Sequence, residues 1–176
     1  PGSMRALLYL VFVLSGAAGL MYESVWTRYL GLFVGHSAYA QIIVLTIFLG
    51  GMALGAFLIG ERSERVRDPL VWYAVIELVV GLIGLGFDAI YAGTTGFAYE
   101  RIFPALNSPT AVLAVKWSLA ALLILPQSIL LGTTFPLMTA GVLRRSMSQP
   151  GRVLSLLYFA NSLGAALGVL VAGFYL

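Results

Sequence analysis

The chain has 176 residues, of which 60% are hydrophobic and 10% charged. A soluble domain carries about 25% charged residues, so this composition leaves too little polar surface to face water; it equally excludes disorder, which needs low hydrophobicity and high charge. Cysteine is absent and His36 is the one histidine, which removes disulfides, thiolate chemistry, His-based metal clusters and His-relayed triads. No metal or cofactor is expected. The net charge of +3 comes without a basic run or an aromatic–basic stripe, so no nucleic acid is expected as a partner. The lipid bilayer is.

In chain order, Pro1-Gly2-Ser3 before Met4 reads as the remnant of a cleaved tag, leaving 4–176 as a single transmembrane domain. Five continuous apolar runs follow, at about 5–34, 37–60, 70–92, 111–140 and 153–176. Barrel strands would alternate and be half as long, so the runs predict an all-α, polytopic membrane helix bundle of about five transmembrane helices. In the first, Ser15-Gly16-Ala17-Ala18 has the small residues of a secretory cleavage site, but the apolar stretch carries on to Leu20 and Met21. Glu23 and Arg28 lie just past that stretch, with Trp26 expected in an interfacial aromatic belt. Residues 93–110, rich in Gly, Pro and aromatics, read as a partly interfacial outer segment. The fourth run, 30 residues, spans about 45 Å as a helix against a ~30 Å hydrocarbon core; it must kink, tilt or project, and Pro126 and Pro136 supply kinks.

Arginine placement gives an orientation. Arg5, Arg62, Arg65, Arg67, Arg144, Arg145 and Arg152 fall on one side, leaving Arg28, Arg101 and Lys116 for the other. The positive-inside rule then places the N-terminus in the cytoplasm. Five spans, the last running to the final residue, suggest a chain truncated from a longer one.

The second and fifth spans share a pattern, Gly51-Met-Ala-Leu-Gly55 with Gly60 and Gly164-Ala-Ala-Leu-Gly168 with Gly173. Glycines four apart share one face and let backbones approach closely, so both spans are expected to be buried in the bundle. Lying three helices apart and running in opposite directions, they also match an inverted three-plus-three repeat, the arrangement inside each half of a major-facilitator transporter; chance recurrence of a common packing pattern is the alternative.

Polar groups at membrane depth are the functional candidates. Glu77 sits about 10 Å into the third span at 1.5 Å per residue, Asn161 at similar depth in the fifth, and Gln127 beside Pro126 near mid-depth in the fourth. Glu77 and Asn161 suit an interhelical hydrogen bond or a ligand site equally. Glu23, Arg28, Asp88 and Lys116, nearer the outer surface, form either a polar vestibule or interfacial residues, with Asp88 and Lys116 as an ion pair or snorkelling. His36, at a helix junction, is open to a pH or ligand role.

Certain strings resemble a known family. Tyr22-Glu23-Ser24-Val25-Trp26-Thr27-Arg28, Gly51–Arg65, Leu130–Leu137 and Tyr158–Gly168 together are similar to the membrane region of spermidine synthase-like proteins. In that family a major-facilitator-like transmembrane region precedes an aminopropyltransferase-type domain. Glu61 and Glu64 depart from the pattern, which has Arg and Asp there, and no Gly-rich loop for an S-adenosylmethionine-type donor is present. The resemblance therefore implies a non-catalytic module in a bacterial cytoplasmic membrane. That module would anchor an aminopropyltransferase-type domain, C-terminal or separate, and bind or move a polyamine or other small cation. A dimeric half-transporter, hence a homo-oligomer, and a purely structural anchor are the alternatives.

Overall fold

The computed structural model describes residues 2–35, 37–145 and 149–175. Five helices run through them: α1 (Gly2–Val34), α2 (Ser37–Ser63), α3 (Pro69–Phe97), α4 (Pro109–Arg145) and α5 (Pro150–Tyr175). All five are long and apolar enough to cross a membrane. Among the described residues there is no strand. Helix starts follow local chemistry: α3, α4 and α5 each begin on a proline, whose fixed φ suits the first turn and whose missing N–H is not needed there. Gly35, at φ +92°, ends α1 in the left-handed conformation that glycine adopts without cost, its N–H closing on the Gly31 carbonyl at 3.1 Å.

Helix α3 extends past the apolar run to Phe97 and continues as a π-helical turn (Ala98–Ile102) and a short 3₁₀ turn (Phe103–Ala105). The glycines there do not stop it, because Thr95 ties its hydroxyl to the Tyr91 carbonyl at 2.8 Å and Ala98 is fully buried. Helix α4 stays helical through Pro126 and Pro136. Beside each proline, polar side chains return hydrogen bonds to the helix's own carbonyls: Gln127 and Ser128 to Leu123 and Ile124, Thr133 and Thr134 to Leu130 and Leu131. These are local back-bonds to carbonyls next to the ones the prolines leave free, those of Leu122 and Gly132, and they keep the polar side chains satisfied inside the bundle.

The most extensive packing is α1 on α5 and α2 on α4. Glycines make both possible. A Cβ on Gly51 or Gly55 would run into Ser128 and Ile129 of α4, and one on Gly132 into the backbone of Met52. Likewise Gly164 and Gly168 face Val13 and Ala17 of α1, and Gly16 faces Asn161. Gly60 and Gly173 have open space at the Cβ position. The expectation that the second and fifth spans are buried holds only for these faces: Phe57 of α2 and Phe174 of α5 are each 82% exposed. The helix with buried residues along most of its length is α4, which receives both α2 and α3. Outward-facing apolar side chains such as these suit hydrocarbon and not water.

Two cores result. One gathers Trp26, Phe33, Phe48, Phe87 and Ile124; the other Phe12, Tyr73, Leu137, Met138 and Leu157. Trp26, expected in an interfacial belt, is fully buried, stacked on Tyr22 and edge-on to Phe48. The reason is that α1 continues eight residues beyond it. At one end of the bundle Arg144 donates to the Glu64, Val66 and Arg67 carbonyls, and Arg5 and Arg145 border one notch. The α2–α3 loop, the start of α1 and the end of α4 therefore share an end, the basic one.

Candidate functional site

Between α1 and α3, which touch only lightly, lies an open groove of about 460 Å³. Its polar residues are Ser15 and Tyr22 from α1 and Tyr73 and Glu77 from α3; Val11, Leu14 and Val80 are among its apolar walls. Spacing explains the convergence. Ser15 and Tyr22 lie seven apart and Tyr73 and Glu77 four apart, so each pair shares a helix face. Gly84 completes the fit, because a Cβ there would strike the Tyr22 ring.

Ser15, itself buried, donates its hydroxyl to Glu77 Oε1. Glu77 is half-buried, and a carboxylate has room for further donors. Tyr73 is 4% exposed, and its hydroxyl faces Ser15 and Glu77 without forming a hydrogen bond of normal geometry to either. Among the described residues no cationic side chain lines the groove. A carboxylate, two phenols and a hydroxyl in an apolar cleft suit an organic cation: the carboxylate supplies charge, the hydroxyls hydrogen bonds, and the ring faces a favourable quadrupole. Among the described residues no three His, Cys, Asp or Glu side chains converge to hold a metal.

The other sequence candidates are dispersed. Asn161 of α5 packs on Gly16 of α1, its Oδ1 2.9 Å from where a Cβ of Gly16 would stand, and does not line the groove. Gln127 is buried, donating to the Leu123 carbonyl at 2.9 Å, with Oε1 unpartnered. Glu23 accepts from Thr27 one turn on, at 3.2 Å, and Arg28 is exposed. Asp88 accepts from Tyr29 Oη at 2.8 Å. Lys116 lies instead over the Phe33, Tyr99 and Phe103 rings at 5.4, 5.7 and 5.8 Å from their centroids. Asp88 and Lys116 thus have separate partners among the described residues. His36 lies outside the described residues.

Of the groove's polar set, only Glu77 was singled out from the sequence. In the sequence Ser15 lies in a small-residue stretch and Tyr73 inside the third apolar run. The available signal was the four-residue spacing of Tyr73 and Glu77 on one face.

No protein-family model matches the chain, and no solved structure matches it significantly. It is 25% identical over 166 residues to polyamine aminopropyltransferase 1 of Streptomyces coelicolor, covering 93% of this chain and 28% of that protein. It is 31% identical over 94 residues to a polyamine aminopropyltransferase of Shewanella oneidensis, covering 53% of this chain and 16% of that protein. The chain is therefore weakly similar to part of these enzymes, spanning less than a third of their length.

Proposed function

We propose that this chain is the membrane module of a polyamine aminopropyltransferase-like protein. It anchors an aminopropyltransferase-type domain at a bacterial cytoplasmic membrane and holds a polyamine amine in the α1–α3 groove. The observation that carries the amine reading is Glu77: a carboxylate in an apolar cleft, given one donor by Ser15 and no cation by its surroundings. Intramembrane carboxylates without a partner are costly, and an ammonium supplies the missing charge. The relatives' names supply the polyamine.

The test is equilibrium binding of labelled spermidine to the chain in nanodiscs. A hydrogen bond to a charged group contributes about 1.5–3 kcal/mol, so Glu77→Gln is expected to weaken binding about ten- to a hundred-fold. Equal affinity in wild type and Glu77→Gln removes the amine reading and leaves the anchor.

A second reading, a dimeric half-transporter, is favoured by one observation. The glycine crossings pair α2 with α4 and α5 with α1, the pairing that a two-fold swapping α1 with α4 and α2 with α5 would exchange, as an inverted repeat requires. Spermidine uptake into proteoliposomes above the protein-free level selects this reading; uptake at that level discards it.

A further inference from the structure

The arginines at the basic end differ in what they already hold. Arg144 is committed to three backbone carbonyls of the α2–α3 loop, and Arg62 donates to the Leu58 carbonyl at 2.9 Å. Arg5 of α1 and Arg145 of α4 stand apart. Both are exposed, and they border a notch of about 200 Å³ whose remaining walls are Met4, Leu8 and Val142. Among the described residues no carboxylate lines it. Two arginines from different helices thus border one apolar-walled notch.

We propose that this notch binds the phosphate headgroup of an anionic phospholipid. Guanidinium forks match phosphate oxygens in pairs, and basic pockets between helices at a membrane surface have the charge such headgroups need. The apolar walls decide between a lipid and a soluble phosphate. Met4 and Leu8 continue into the outer apolar surface of α1, with Leu7 and Leu10 exposed beside them, so acyl chains attached to the phosphate have a surface to lie on. A free phosphate gains nothing from those walls.

The test is native mass spectrometry and thermal unfolding of the chain exchanged into phosphatidylglycerol or phosphatidylcholine. Preferential retention of phosphatidylglycerol, with a raised unfolding midpoint, is expected; equal retention of the two lipids overturns the proposal without recourse to any variant. Arg5→Gln/Arg145→Gln should lower phosphatidylglycerol affinity roughly thirty-fold. Arg65→Gln/Arg152→Gln, which removes the same charge from the same end, should leave it near wild type. Equal loss in the two pairs means diffuse attraction and overturns the site. Glycerol phosphate in solution competing at the lipid's own affinity overturns the lipid as occupant.

Discussion

Glu77 and Tyr73 sit one helical turn apart, and both are kept in the apolar cleft at a cost. A buried hydroxyl without a well-formed hydrogen bond forfeits up to about 1–3 kcal/mol of solvation, and that of Tyr73 faces Ser15 and Glu77 without one of normal geometry. An amine bound at Glu77 would supply one: it brings several donors, of which the carboxylate uses only some, and a phenol oxygen accepts. The two roles of that hydroxyl can be separated. Tyr73→Phe is expected to stabilise the ligand-free chain by about 1 kcal/mol while weakening spermidine binding several-fold. Unfolding curves with and without spermidine check both. A variant that is less stable without ligand would show that the hydroxyl has a structural partner, and would sever it from the groove's chemistry.

At the scale of the helix, lipid tails are as apolar as leucine, so close approach of backbones and not hydrophobic burial holds these spans together. The glycines therefore differ by position and not by motif. Gly55→Leu and Gly164→Leu place side chains into the backbones of α4 and α1, which cannot move aside as a side-chain tip can; the cost should exceed the usual ~1–3 kcal/mol of overpacking. Gly60→Leu meets open space and should be neutral. Monodisperse yield after size exclusion and unfolding in SDS distinguish them; equal loss at Gly60 would show that helix flexibility, not contact, is being measured. The same contrast shows what was legible in the sequence. Helices are local, so unbroken apolar runs announce all five, and an ionisable residue such as Glu77 announces itself at membrane depth. Contacts between helices are not local. Nothing in the run around Tyr73 marks its approach to Ser15, 58 positions earlier, and no pattern distinguishes Gly55, which meets α4, from Gly60, which meets nothing. Trp26 misled for a related reason: its residue type suits an interface, but the length of α1 beyond it puts it in the core.

Across the whole molecule, charge is segregated. The α2–α3 loop arginines, Arg5, Arg144 and Arg145 share one end, while Lys116 is held among rings at the other. Translocating arginines during insertion is unfavourable, so the crowded end should remain in the cytoplasm. Orientation matters for the groove because Glu77 lies only about 12 Å into α3 from that end, at 1.5 Å per residue. If the proposed amine enters the groove from that end, the arginines would repel it, and anionic lipid held at Arg5 and Arg145 would blunt that repulsion. The absence of cysteine makes the orientation directly measurable, since any introduced thiol is the only one. Glu61 and Asn107, both exposed and at opposite ends, can be changed to cysteine without removing an arginine. In intact bacterial cells a membrane-impermeant maleimide should label Asn107→Cys at once and Glu61→Cys only after permeabilisation. The reverse pattern would put the basic end outside, and with it the groove's nearer opening, which would rule out a supply of amine from the cytoplasmic side by this route.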